Sequence, residues 1–364
     1  MYVRGTHTVL CGSACDCDCY WYVVANLLPI SAVSAFPVKD KRWAGLQAQL
    51  YSPERTRCGF VTEAEVHDKI ISLEEAARLI PDGSGLFWGG FGYQRAPIAF
   101  AHELVRQKKR DLTIYTCGSE IDIEIMVGAR VLKRLEIAFV AIEALGLANN
   151  VRRRIAEGAI EIEDYSNLAM AMRFLGGALN IPFMPIRSLM GTDIVNKVQY
   201  RGDKKLKIID CPFTGQKICL VPSVQPDFSI VHVQRVDRYG NAQIDGIVGE
   251  DIEGSRCGKK LIVLAEEVVG EEEIRHSPDR TVIPAMYVDH VVVVPFAAHP
   301  MQCHNYYDYD LEHLMMFHKL TKTEEGWEEY LNGYILGVDN HYGYLEMVGW
   351  ERLHKLRARR PWGY

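Results

Sequence analysis

Positive charge is short in this 364-residue chain: 41 Lys and Arg stand against 47 Asp and Glu, for a net charge of −6. A nucleic-acid surface needs a basic stripe, so nucleic acid is excluded as the main partner. Lys108-Lys109-Arg110, Arg152-Arg153-Arg154 and Arg357-Ala358-Arg359-Arg360 are short groups that read as solvated helix ends. A membrane-spanning run is also missing. The apolar stretch from Tyr20 to Phe36 is broken by Asn26, Pro29 and Ser31 and falls short of a span. Ser34-Ala35 looks like a signal cleavage site, yet Asp16 and Asp18 sit where a signal peptide should be basic. Cys11, Cys15, Cys17 and Cys19 lack a second C-x-x-C pair or paired histidines, which argues against zinc. Residues 1–66 are therefore expected to be an extension without a core of its own, as upstream sequence taken in by an early start would be. Cys58, Cys117, Cys211, Cys219, Cys257 and Cys303 are dispersed, as in a reduced, cytoplasmic enzyme.

What is present is ordinary globular material, 48% hydrophobic and 24% charged, with ample apolar residues for a core. From Ile70 the pattern alternates between strand and helix. Ser72-x-x-Glu75 is a capping box opening a helix over Leu73–Ile80. Pro81-Asp82-Gly83 is a turn, Leu86-Phe87-Trp88 a buried strand, and Gly89, Gly90 and Gly92 form a loop almost without side chains. Pro97 starts a helix to about Lys109. Strands follow at Leu112–Thr116, Leu135–Ile142 and Ile160–Glu163. Helices follow at Ile121–Val127, Asn149–Glu157 and, capped by Ser166, to about Leu179. The second half adds strands at Leu206–Ile209, Ile218–Pro222, Phe228–Gln234, Leu261–Leu264 and Tyr287–Val294. Helices are expected at Asp310–Leu320 and Thr321–Leu331, the latter with a Thr321/Glu324 capping box. This alternation predicts an α/β fold with a mainly parallel sheet flanked by helices. The domain is expected over 67–350, with a smaller sub-layer near 190–250 and a basic tail at 351–364.

The string from Asp82 to Pro97 resembles the first signature of the family I CoA-transferases: Asp-Gly, a spacer, three apolar residues, Gly-Gly-Phe, then x-Pro. Arg95 stands where the 3-oxoacid branch has Gly; here the sequence is similar to the A subunit of glutaconate CoA-transferase. Four later stretches carry the same resemblance. They are Glu163-Asp164-Tyr165-Ser166 with Leu179–Pro185, Ile209–Phe213 with Cys219–Pro222, His232-Val233-Gln234 with the Gly240-Asn241 turn, and Glu272–Arg275 through Ala298-His299-Pro300-x-Gln302-Cys303 to Asp310. The resemblance implies a thioester exchange in which a glutamate attacks an acyl-CoA and passes CoA to a second carboxylic acid. It places that glutamate on a B-type partner, in an A2B2 or larger hetero-oligomer. The chain has no Glu-Asn-Gly or Glu-Ser-Gly, the usual setting of that glutamate. No catalytic residue is therefore expected on this chain, and coenzyme A enters as substrate, with no cofactor.

Ligands of parallel sheets bind beyond the carboxyl ends of the strands. Gly89, Gly90 and Phe91 are thus candidates to face the acyl group or CoA, with backbone N–H groups available to an oxyanion; the alternative is a tight turn. Arg95 suits a carboxylate or phosphate, or else points into solvent. Gly118, Ser119 and Glu120 end one strand and Glu143 another. A carboxylate at Glu143 can serve as an acid or base, or stand free in water, and it disfavours a diacid substrate. His299, before Pro300, is placed nearer the site than His232 or Gln234; a core histidine is the default for each. No spacing makes a metal site. Two other functions compete with the transferase. One is a CoA-thioester ring-opening hydrolase of the steroid-catabolism type, whose A-chain glutamate falls at Asn167 here. The other is a non-catalytic protein that binds acyl-CoA.

Overall fold

The structure, a computed structural model, describes residues 69–358 apart from positions 144 and 198. The extension expected over 1–66 and the last residues of the tail lie outside the described residues. Ser72 caps α1 (Leu73–Arg78) by the reciprocal bonds that its sequence predicts: its Oγ accepts from Glu75 N, and a Glu75 oxygen accepts from Ser72 N. Then come β1 (Gly85–Trp88), α2 (Ile98–Arg106), β2 (Leu112–Tyr115), β3 (Gly118–Ser119) and α3 (Ile121–Gly128). They are followed by β4 (Leu132–Ile137), β5 (Phe139–Ile142), β6 (Gly146–Leu147), α4 (Asn149–Ala156), β7 (Glu161–Asp164) and α5 (Asn167–Ala178). The second half holds β8 (Phe183–Ile186), β9 (Lys207–Asp210), β10 (Lys217–Pro222), β11 (Phe228–Val236), β12 (Ala242–Gln243) and α6 (Asp251–Cys257). After these come β13 (Lys260–Val268), α7 (Glu271–His276), β14 (Thr281–Ile283) and β15 (His290–Val293). The described residues go on with the α-helices α8 (Leu311–Leu320), α9 (Glu324–Tyr330), α10 (His341–Val348) and α11 (Trp350–Leu356).

The main sheet runs β15-β13-β11-β1-β2-β4-β7, every pair parallel, with β12 and β14 added antiparallel beside the end of β11. The mainly parallel α/β fold is as the sequence implies. β1 shows why its residues form one apolar run. Leu86 and Trp88 enter the core under α2 and α3, whereas Phe87 enters the opposite core beside α5 and α6. With both faces covered, alternation disappears. Phe87 meets Phe174 edge-on at 4.9 Å, and Gly254 on α6 has no room for a side chain, since a Cβ there would lie 1.9 Å from Phe87 Cζ.

Three expectations change. The apolar run Leu135–Ile142 is two strands. After Ile137 the chain leaves the main sheet: Ala138 N and Phe139 N both donate to Cys117 O, and β5 pairs with β3 and β6 in a small separate sheet. The sub-layer is the antiparallel sheet β8-β10-β9, which lies over 183–222. The helix expected from Thr321 is capped by Thr323, whose Oγ1 accepts from Gly326 N.

The basic tail expected from 351 is also corrected, because its first residues are α11. Leu353 is buried, and Arg352 grips the Asp310 carboxylate with two 2.5 Å bonds. Leu353→Ala is accordingly expected to lower unfolding free energy by about 2–5 kcal/mol, read from urea denaturation; no loss would mean that α11 is not part of the core.

Candidate active site at the sheet edge

The loop after β1 is fixed by its own backbone. Gly89 N donates to Ile230 O at 2.9 Å, and a Cβ on Gly89 would lie 2.6 Å from Asp251 Oδ1. Gly90 has φ +84° and donates to Asp251 Oδ1 at 2.9 Å. Phe91 and Gln94 exchange N–H···O bonds of 3.0 Å across a tight hairpin. Gln302 holds the far side, accepting from Arg95 N and donating to Tyr93 O, both at 2.9 Å. The loop is therefore rigid, and the N–H groups of Gly89, Gly90 and Phe91 are already bonded within the chain. The N–H donors expected for an oxyanion are used internally. Gly92 N has only a long 3.4 Å bond, to Gly118 O.

Arg95 is a correction. Its guanidinium is buried and bonds to Asp251 Oδ2 at 2.5 Å and to the carbonyls of His232, Ile247 and Val248. Its donors are thus taken up inside the chain and turned away from solvent. It stands behind the loop, tying Gly90 through Asp251 to the start of α6. His299 is also corrected. It lies in the core, with Nδ1 on Tyr344 Oη at 2.8 Å and Nε2 on Asp310 Oδ2 at 3.1 Å, and burial lowers its pKa against the opposing pull of Asp310. His232, Glu266 and Cys303 form one compact buried group of donors, and His299, Asp310 and His313 another. In the first, Glu266 is bonded to Phe296 N, Ala297 N and Tyr307 Oη; in the second, Arg352 grips Asp310. Gln234 is likewise structural, donating to the carbonyls of Asp245 and His304.

The remaining candidates do converge. Phe91 packs between β3 and the turn before α6: a Cβ on Gly118 would lie 3.7 Å from its ring, and one on Gly249 would lie 3.0 Å from its Cβ. Ser119 Oγ donates to Asp122 at 2.7 Å; Asp122 also accepts from Trp88 Nε1 and Glu120 N, so the Ser119 hydroxyl positions α3. Glu120 is fully buried, and neither of its carboxylate oxygens makes a well-formed hydrogen bond among the described residues. Loss of water, then the charges of Glu143 and Asp122, push its pKa up to about 8, against a weaker pull from the Glu143 backbone N–H. Glu143 itself is exposed, in the turn after β5. The parallel pairing of β3 with β5 brings these two glutamates to one edge.

Sequence reasoning missed Gly249, Glu250 and Asp251, which complete this edge. A glycine followed by two acids at the start of a helix was the available signal. Burial raises the pKa of Glu250, with the Cys117 thiol opposing, and Cys117 Sγ donates in turn to Asn167 O at 3.4 Å. A separate cavity of about 290 Å³ lies over β2 and β4, lined by Tyr115, Arg134, Glu136, Tyr200, Arg201 and Lys204 among others. Burial acts to raise the Glu136 pKa, but Arg173 at 2.5 Å and Arg201 at 2.6 Å prevail and hold it low.

A family model described as Coenzyme A transferase matches residues 70–294. This chain belongs to the coenzyme A transferase family. It is 31% identical to the A subunit of glutaconate CoA-transferase from Acidaminococcus fermentans, over 81% of this chain and 97% of that one. The crystal structure of the glutaconate enzyme superposes with a TM-score of 0.76 at 32% identity, over 81% of this chain and 98% of that chain. An uncharacterized protein of Archaeoglobus fulgidus is 42% identical, over 80% of this chain but 65% of its own length. A cholesterol ring-cleaving hydrolase subunit of Rhodococcus jostii is 25% identical, over 76% of this chain and 94% of that one. The likeness is thus to the A subunit of a CoA-transferase, and Arg95 is here the internal brace of the transferase glycine loop. Arg95→Ala leaves Asp251 buried without its cation and is expected to cost about 3–5 kcal/mol of stability, read by denaturation. An unchanged stability with weakened ligand binding would instead return Arg95 to the ligand.

Proposed function

We propose that this chain is the A subunit of a hetero-oligomeric CoA-transferase and forms one wall of a site whose nucleophilic glutamate stands on a B-type partner. The observation that carries this is the near-complete coverage of the glutaconate CoA-transferase A subunit in sequence and fold. The edge described above supports it: Gly90, Phe91, Gly118, Ser119, Glu120 and Glu143 surround the strand ends where a parallel sheet receives ligands. In the exchange, the partner's carboxylate attacks the thioester carbonyl, giving a mixed anhydride and free CoA thiolate. The thiolate then attacks the anhydride to give the enzyme-CoA thioester and the first acid. A second acid reverses these steps and leaves as its CoA ester. This chain shapes and dries the acyl end of that site.

The partner is supported by apolar surface on the small antiparallel layer. Phe213 is 94% exposed, and Phe183, Ile208 and Ile209 are exposed close by. A patch of this kind marks an interaction surface. An A2B2 or larger assembly follows from the family resemblance. A cytoplasmic setting suits the free thiols of Cys117, Cys211, Cys219, Cys257 and Cys303. Among the described residues no helix is long and apolar enough to cross a membrane. The hydrolase is not favoured, since identity to its subunit is 25% against 31% to the glutaconate CoA-transferase subunit, and a purely binding role is not favoured by likeness to transferase subunits. Intact-mass analysis of the complex with acyl-CoA is expected to add a CoA-sized mass to the partner alone, removed by a free carboxylic acid. Free CoA with neither chain labelled would reject the transfer.

A further inference from the structure

The group at this edge with no assigned work is Glu120. The amides of Gly89, Gly90 and Phe91 are bonded within the chain, so an acyl oxygen arriving here finds no free donor among them. Glu120 is buried, neither of its oxygens makes a well-formed hydrogen bond among the described residues, and it faces the loop: a Cβ on Gly92 would lie 3.7 Å from its Oε1. As an anion it would be a buried charge with no cation beside it and only the weak support of the Glu143 backbone N–H. As a neutral acid it holds one O–H that lacks an acceptor until a ligand supplies one.

Resting on the transferase reading, we propose that Glu120 is a neutral acid that donates a hydrogen bond to an oxygen of the acyl group. Glu143 beside it restricts that group to ones without a second carboxylate. The charges that bear on Glu120 are Glu143, at the end of the neighbouring parallel strand, and Asp122, which is bonded to Ser119, Trp88 and the Glu120 backbone. Both are negative and favour the proton. Asp122, already bonded, does not compete for the ligand. Because the pKa is raised to about 8, the donor is present below that pH and is lost as pH rises through it. An acyl tail ending in carboxylate would meet Glu143 and be repelled.

The test uses the chain in complex with its B-type partner, with acetyl-CoA as probe and succinyl-CoA as comparator, across neutral to alkaline pH. Partner loading is read by intact mass and thioester binding by calorimetry. Wild type should favour acetyl-CoA and lose both loading and binding above about pH 8. Glu120→Leu should lower loading about a hundred-fold, the effect of losing an oxyanion donor. Glu120→Gln, nearly isosteric and still a donor, should keep part of the activity and lose the alkaline fall. Glu143→Gln should improve succinyl-CoA use roughly fivefold, the attenuation of one charge contact in water. A wild-type rate in Glu120→Leu, the same alkaline fall in Glu120→Gln, or a wild-type preference for succinyl-CoA would each overturn the inference. If the partner never gains mass, the transferase reading fails by itself. Glu120 is then judged by calorimetry: acetyl-CoA binding that weakens above about pH 8 in wild type but not in Glu120→Gln upholds it. Absent or pH-indifferent binding overturns it.

Discussion

The buried pair of Arg95 and Asp251 is the contact on which the edge of this sheet depends. Asp251 opens α6 and accepts at once from the Arg95 guanidinium and from Gly90 N. Arg95 also collects three carbonyls from β11 and the segment before α6. A glycine loop has little intrinsic stiffness, because its residues keep more backbone freedom than others when unfolded. Here the stiffness comes from outside the loop. The ion pair places the loop against α6, and that placement sets Phe91 between Gly118 and Gly249. Such a pair contributes less to net stability than to a single geometry, since both charges gave up water to form it.

The fold was largely legible in the sequence. Alternating apolar runs and caps located the parallel strands and most helices because periodicity and capping are local signals. The break at Ala138 was hidden, since the residues from Ile137 to Ile142 are all apolar across it and the change of sheet is decided by Cys117 O, which lies between two other strands. Short β12 and α6 were missed for a similar reason: what defines them is pairing and packing at a distance. α11 looked like a basic tail because its buried face rests on Leu353 amid charged neighbours.

The grouping of residues at the candidate site was legible in part. Strand ends pointed to Gly90, Phe91, Gly118, Glu120 and Glu143, which the structure gathers. Arg95 and His299 were placed at the site by residue type, and the fold turned both inward. A guanidinium suits a buried aspartate as well as a ligand carboxylate, so type alone does not distinguish them. Likewise, a glycine loop advertises open amides, yet whether they remain free depends on acceptors such as Ile230 O and Asp251, contributed from far along the chain.

The C-terminal helix has a wider consequence. Arg352 grips Asp310, Asp310 holds His299, and the segment after His299 carries Gln302, which is laced to Tyr93 and Arg95. Helix α11 is thus joined, through three short links, to the back of the glycine loop. On the ribosome, therefore, the glycine loop is made long before α11, and the line of contacts that backs it is complete only once α11 has emerged.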